Sequence, residues 1–471
     1  MEERRENKMG VMPIRRLLIS MSLPLMASML MQALYNVVDS IFVSRISDNA
    51  FTALSLALPV QMFMIAFAVG TGVGVNSLLS RRLGEHRFDD ANRAAMNGIF
   101  VYILSGLLFA VLGFFFAGRF FHLFTEDPEI IRYGTDYLTI CTVFSMGMFL
   151  QFAAERLMQS TGNTFYQMIV QATGAAINIV LDPIFIFGYF GVPAMGVAGA
   201  AIATVLGQSI AMVLGMILNL RVNHDIQLSF RGFRPDGKVI LEIYRVGLPS
   251  IIMQSLVSVM ITGLNMILAN ISYTMVLVLG IYYKLQSFVY MPVFGITNST
   301  IPIVAYNYGA RNRKRIADTV RQSILLSFFI MLAGLAVMQL FPRQLLLLFD
   351  ASEATLTAGV PALRMLSISF VISSVIFVFS STFQALGNGV LSMSLSITRQ
   401  LILILPGAFL ITRFGPPGLV WAIFPVADIV TTVLCALLFR LVYREKILPL
   451  DAPGETENSL SPIPQAQAES R

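Results

Sequence analysis

ERLMQSTGN at residues 155–163 is answered by FQALGN at 383–388. Gln159, Gly162 and Asn163 return as Gln384, Gly387 and Asn388, a spacing of 225 residues. The same offset carries Leu23-Pro24 to Leu248-Pro249, and Gln61 and Phe63 to Gln286 and Phe288. It also carries Gly70 and Gly84 to Gly295 and Gly309, and Leu123-Phe124 to Leu348-Phe349. Chance matches scatter in register, so matches in one register without a gap mean two homologous halves. Both halves are strongly apolar, and duplicated membrane halves mark many secondary transporters.

Composition agrees. The chain is 56% hydrophobic and 12% charged, against about 25% charge in soluble domains. Apolar stretches of the roughly 20 residues that cross a bilayer occur at 17–42, 52–77, 95–117, 137–158, 166–187, 194–220, 246–269, 274–299, 319–341, 361–384, 391–412 and 417–440. The first stretch is too long for a signal peptide and contains Gln32, Asn36 and Asp39. Pro24, Pro249 and Pro292 interrupt spans, and a proline removes a helical hydrogen bond and bends the helix.

The reading is therefore an all-α membrane protein: twelve transmembrane helices in two pseudo-symmetric six-helix lobes. Residues 1–221 form the N-lobe, 222–240 a polar cytoplasmic linker, 241–446 the C-lobe and 447–471 a disordered tail. With the N-terminus in the cytoplasm, most Lys and Arg fall on that side. The opposite loops hold only Arg45, Arg119, Arg132, Arg343, Arg364 and Arg413. Both termini are thus expected in the cytoplasm. The net charge of +6 reflects this bias and contact with anionic lipid, not nucleic acid. Cys141 and Cys435 lie in apolar runs of opposite halves and read as buried hydrophobes. Three His lack metal-ligand spacing, there is no phosphate-binding loop, and no nucleophile–base pair stands out. No enzyme activity, cofactor or metal is expected, beyond Na⁺ at a coupling site.

Carboxylates inside membrane helices are costly and ask for a reason. Asp39 and Asp182 fall toward the outer ends of the first and fifth spans, at similar depth. Asn178 precedes Asp182 by one helical turn, Tyr35 precedes Asp39 by one, and Asn36 lies nearby. These groups can converge on a small cavity for a proton or Na⁺, since a desolvated carboxylate favours its neutral form. Alternatively they sit hydrated at the interface and cap helix ends, Asp182 before Pro183. Glu155 and Arg156 read as an interfacial or interhelical salt bridge. Lys284 either lines the central cavity or snorkels. Arg399 and Asp428 can pair with each other or with Lys284. Gln61 and Gln286, repeat-equivalent polar groups, are candidates with Lys284 for a substrate cavity between the lobes, or else bond between helices for packing.

SLPLMASMLMQALYNVVDSIFVS at 22–44 resembles the first helix of multidrug and toxic compound extrusion (MATE) transporters. So do the two segments quoted first, NIVLDPIFIFG at 178–188, GVAGAAIAT at 196–204 and KLQSFVYMPVFGITNSTIPIVAYNYGA at 284–310. The resemblance spans nearly all of 10–442. It implies two six-helix lobes around a V-shaped cavity. It also implies secondary active efflux of small-molecule organic cations or drugs by antiport with H⁺ or Na⁺, through alternating access. In the branch with an N-lobe cation site, the matching residues are Asp39, Tyr35, Asn178, Asp182 and Thr204, with Pro24 as the bending proline. Another branch uses carboxylates on the seventh, eighth and tenth helices; none stands there, and Lys284 occupies the eighth.

The resemblance implies a monomer in a bacterial or archaeal plasma (inner) membrane, with the lipid bilayer as its surroundings. The alternative is a lipid-linked precursor flippase of the same superfamily, which would show more basic residues in its cavity.

Overall fold

A backbone crossing lipid must satisfy its own hydrogen bonds, and the chain does so with helices throughout. The structure is a computed structural model that describes residues 6–451. The first half comprises α1 (Lys8–Val11), α2 (Ile14–Ser44), α3 (Asp48–Gly84), α4 (Phe88–Phe121), α5 (Pro128–Val143), α6 (Met146–Ser160), α7 (Thr164–Phe187) and α8 (Val197–Arg221). The second comprises α9 (Gly237–Ala269), α10 (Tyr273–Gly309), α11 (Arg313–Leu340), α12 (Pro342–Leu347), α13 (Glu353–Ala385), α14 (Gly389–Ile397), α15 (Leu405–Phe414) and α16 (Ile423–Val442). A π-helical turn, Thr398–Ile404, joins α14 to α15. Short polar residues start several helices: Ser47, Asp127, Asp236, Ser272 and Ser352 each accept a hydrogen bond from a backbone N–H of the first turn.

Eleven spans are long and apolar enough to cross a membrane among the described residues, and the bent pair α5–α6 makes a twelfth. The lipid-facing sides stay apolar: on α4, Leu104, Leu107, Phe114 and Phe115 are all exposed. The molecule is a multi-pass membrane protein.

The duplication is literal in three dimensions. Residues 48 and 84, the ends of α3, lie 225 before 273 and 309, the ends of α10. The lobes meet where α2 crosses onto α10 and α9 onto α3, with α3 against α10. Glycines make that seam. A Cβ on Gly84 would overlap the carbonyl oxygen of Tyr306, and one on Gly309 would overlap that of Arg81. Arg81 and Tyr306 are themselves repeat partners, so the contact is reciprocal. Gly70 against Ile251 and Gly295 against Met26 form a second reciprocal set. Reciprocity of this kind requires a pseudo-twofold axis between α3 and α10, and small residues allow the helices to approach so closely.

The end of the bundle that carries the N-terminus is closed. Ser77 donates to the carbonyl of Gln384 at 2.8 Å and Gln159 donates to that of Asn298 at 2.7 Å. Glu242 on α9 pairs with Arg81 and Arg82 on α3. Asn307 and Arg315 both donate to the carbonyl of Met9, which is fully buried in the seam.

Three boundaries differ from the sequence reading. The fourth span is not continuous: it breaks by 46° between α5 and α6. There the buried Ser145 hydroxyl donates to the carbonyl of Gly106, and Gly147 abuts Ser209 on α8; Gly/Ser pairs are common kink sites. The linker stops at Asp236, whose side chain caps α9, and its backbone is held by Asn92 and Asn97 of α4. Residues 447–451, expected to belong to the tail, are ordered into the fold: Ile447 is fully buried and Leu448–Asp451 form a 3₁₀ turn. Residues 452–471 lie outside the described residues.

Gly84→Ala and Gly309→Ala each place a methyl group on a backbone carbonyl of the other lobe. Overpacking of this kind costs about 1–3 kcal/mol. Each variant is expected to open the closed end, seen as faster thiol labelling of Ser77→Cys from that side. An unchanged labelling rate would show that this contact does not hold the lobes together.

Candidate functional site

Small residues bring α7 and α8 together: a Cβ on Gly207 would lie 2.8 Å from the carbonyl oxygen of Gly174, and one on Gly174 would lie 3.0 Å from the Ala211 Cβ. This close approach fixes Asn178 of α7 against Thr204 of α8. The Asn178 amide donates to the Thr204 hydroxyl at 3.2 Å and to the Asp182 carboxylate, one turn further on, at 3.3 Å. Asp182 is fully buried. It is not a helix-end cap, because α7 runs on through Pro183 to Phe187. Proline has no N–H, so the carbonyl of Ile179 lacks its helical donor beside the site.

α2 packs along α7 and brings Asp39, 8% exposed, into electrostatic reach of Asp182. Tyr35 lies within reach of both carboxylates, while Asn36 faces outward. Of the expected group, then, Asn178, Asp182 and Thr204 are joined by hydrogen bonds. Asp39 and Tyr35 stand beside them.

The acceptors are in excess. Asp39 Oδ1, Asn178 Oδ1 and Asp182 Oδ2 are all buried without a hydrogen-bond partner among the described residues. Among the described residues, neither carboxylate has Lys or Arg against it. Buried polar atoms are normally satisfied, and a buried charge needs a partner. Two carboxylates, an amide oxygen and a hydroxyl form a hard, all-oxygen donor set. Such a set suits a proton or a small hard cation, and it cannot bind an anion.

Beside this group lies a cavity of about 40 Å³, bordered by Asn178 and Thr204 and not by either carboxylate. Tyr35, Asn178 and Thr204 line one part, and Gln32, Gln151, Gln171 and Gln208 another. Gln151 bridges Gln171 at 3.2 Å and Glu155 at 2.9 Å. Sequence reasoning had noted Gln32 and missed the other three glutamines. The available signal was spacing: Gln151 precedes Glu155 by one turn, so both share a helix face.

Other expected groupings separate. Glu155 and Arg156 are both buried but do not pair: Glu155 accepts from Gln151, and Arg156 donates to Gln159 at 2.6 Å. They are consecutive on a helix and point to different neighbours. Gln61 donates to Tyr137 at 3.0 Å within its own lobe, and Gln286 to Tyr282 at 2.7 Å within its own helix. Lys284 is exposed, with its ammonium over the Phe349 ring at 5.7 Å. None of these three borders the cavity. Arg399 and Asp428 do pair, without Lys284. Cys141 and Cys435 are free, buried thiols in opposite lobes.

A family model described as MatE matches residues 24–184 and again 249–410. A multidrug export protein MepA from Staphylococcus haemolyticus is 26% identical over 432 residues, covering 91% of this chain and 93% of its own length. Two solved structures superpose over 96% of this chain and all of theirs. One is an outward-facing multidrug resistance MATE transporter of the MOP superfamily (TM-score 0.87, 25% identity). The other is a MOP superfamily transporter from Pyrococcus furiosus, described as having a binding pocket of reverse polarity that suggests a different function (TM-score 0.87, 26% identity).

Thr204→Val keeps the side-chain shape and removes the hydroxyl that Asn178 engages. A lost neutral hydrogen bond costs about 0.5–1.5 kcal/mol. Apparent affinity for the bound cation is therefore expected to fall roughly two- to tenfold, read as a shift in the pH or Na⁺ dependence of transport, with membrane insertion unchanged. An unshifted dependence would remove Thr204 from the site.

Proposed function

The chain belongs to the MatE family, and from that premise we propose that it is a secondary active exporter of organic cations or drugs, driven by antiport of H⁺ or Na⁺ bound at Asp39, Asp182, Asn178, Thr204 and Tyr35. The observation that carries this reading is the trio of buried, unpartnered acceptor oxygens on Asp39, Asn178 and Asp182. A cation entering the site neutralises carboxylates that are costly to bury alone. The glutamine-lined cavity beside the site, at about 40 Å³, is smaller than the roughly 300 Å³ that a drug-sized guest needs, and it receives the substrate only when it widens as the lobes part. Its lining carries amides and no Lys or Arg, which suits a cationic guest better than the pyrophosphate of a lipid-linked precursor. Gln61 of α3, and Gln286 and Lys284 of α10, belong to the two helices that face each other across the seam and line the route once the lobes part.

The coupling runs along α2. Asp39 and Tyr35 stand beyond Pro24, and Ser22 and Met26, either side of that proline, press on Gly295 of the other lobe. Pro24 cannot bond the carbonyl of Ser20, so the helix is soft there. A bend at Pro24 would move the ion site and the lobe contact together. The ion biases that bend only through unequal affinity for the two shapes. The basic end, with both termini, faces the cytoplasm of a bacterial or archaeal cell, and the transporter works in the plasma membrane as a monomer.

The decisive experiment is efflux of a fluorescent organic cation from proteoliposomes, with ΔpH and ΔNa⁺ imposed separately. One gradient is expected to drive uphill efflux in the wild type. Asp39→Asn and Asp182→Asn, correctly inserted, are each expected to abolish it, because both keep side-chain size and remove only the charge that the ion neutralises. A variant that pumps at the wild-type rate and ion stoichiometry would show that its residue does not carry the coupling ion.

A further inference from the structure

The offset of 225 residues extends into the walls of the N-lobe cavity. Ile65, Met148 and Gly174 line that cavity. Their repeat partners in the C-lobe are Tyr290, Ser373 and Arg399. The Arg399 guanidinium grips Asp428 of α16, its Nε on Oδ1 and its Nη2 on Oδ2 at 3.2 Å. The Ser373 hydroxyl donates to Asp428 Oδ2 at 2.6 Å. Tyr290 lies in electrostatic reach of both charges. Asp428 is fully buried, and Arg399 keeps 15% of its side chain exposed.

The contrast with the first lobe is chemical. There Asp39 and Asp182 each leave an oxygen without a partner. In the second lobe both oxygens of Asp428 are taken. Glycine at 174 packs against Gly207 and Ala211 of α8, whereas arginine at the matching place reaches α16 and supplies the cation. Arg399 is the second residue of the π turn Thr398–Ile404. Such a turn commonly marks one inserted residue in an α-helix, often at functional sites. The two family matches begin 225 residues apart and end 226 apart, as one inserted residue in this turn would make them.

We propose that Arg399 is a tethered cation: it occupies the C-lobe counterpart of the N-lobe cavity and makes Asp428 a pre-filled site for a small monovalent or guanidinium-type cation, so that ion binding is confined to the first lobe. The confinement rests on the reading that the first lobe binds the coupling ion; the filled site in the second lobe does not.

The test is chemical rescue, with the full-length protein in detergent. All variants carry Asp39→Asn and Asp182→Asn, so that a response cannot come from the first lobe. Methylguanidinium is titrated and thermal unfolding is followed. Arg399→Ala is expected to show a saturable rise in melting temperature, because the probe refills the vacated site. The parent with Arg399 intact, and Arg399→Ala/Asp428→Asn, are expected to show none. No rise in Arg399→Ala, or an equal rise in the Asp428→Asn partner, overturns the proposal. Arg399→Ala strands a buried charge and can fail to accumulate. Accumulation of the double variant then decides. Its recovery supports the proposal, since Asp428's uncompensated charge was the fault. An equal failure overturns it, because the pair would then be required as structure and not as a filled cation site.

Discussion

The cost of holding a carboxylate away from water governs both lobes, and they meet it differently. In the first lobe Asp39 and Asp182 sit together with no basic residue against either. Their burial is costly, and in the proposed mechanism a mobile cation neutralises them. In the second lobe Asp428 is fully buried and carries its own guanidinium. A buried pair of this kind gives little net stability, yet breaking it is expensive. One arrangement depends on what is bound, and the other does not. A duplicated fold can thereby bind ions in one half and stay inert in the other without changing its helices.

For ion occupancy to reach the far side of the molecule, a mechanical element must connect the site to the seam. α2 is that element. Met26, against Gly295, and Asp39 are separated by roughly 20 Å of helix at 1.5 Å per residue, with Pro24 close to the contact and the carboxylate at the far end. The seam itself is unforgiving, because Gly70, Gly84, Gly295 and Gly309 approach backbone or side-chain atoms of the other lobe with no space for a methyl group. Tightly packed interfaces of this sort switch between discrete arrangements and do not deform smoothly. A small reorientation of α2 is therefore read out as a change of lobe contact.

Much of this was legible before any coordinates. The repeat offset relates the ends of α3 to those of α10 to the residue, although the expected spans 52–77 and 274–299 fall short of both helices. The cost of burial alone singled out Asp39 and Asp182, and helical spacing attached Asn178. What the sequence could not show was direction around a helix axis in the absence of a polar stripe. Lys284 was left between cavity and interface, and the structure sets it on Phe349. Glu155 and Arg156 looked like a pair because they are adjacent, but neighbours on a helix diverge by about 100°. The break at Ser145 depends on a carbonyl of another helix, Gly106, and no local pattern announces it. The glutamines were hidden for the same reason, being scattered over four helices that only the fold brings to one cavity.

The glycine at 174 and the arginine at 399 show how little chemistry separates the halves. Both stand on the helix after the repeated Asn163/Asn388 turn, eleven residues in. With glycine, α7 and α8 close until the Gly207 position meets the Gly174 carbonyl, and the remaining polar groups keep a free coordination position. With arginine, the side chain spans to α16 and supplies the charge from within. An ion-driven exporter needs an occupancy that changes the energy of one conformation relative to another. A permanently satisfied site has no such leverage, so in the proposed mechanism the second lobe contributes its helices and its half of the glycine seam, and the thermodynamic drive enters through the first.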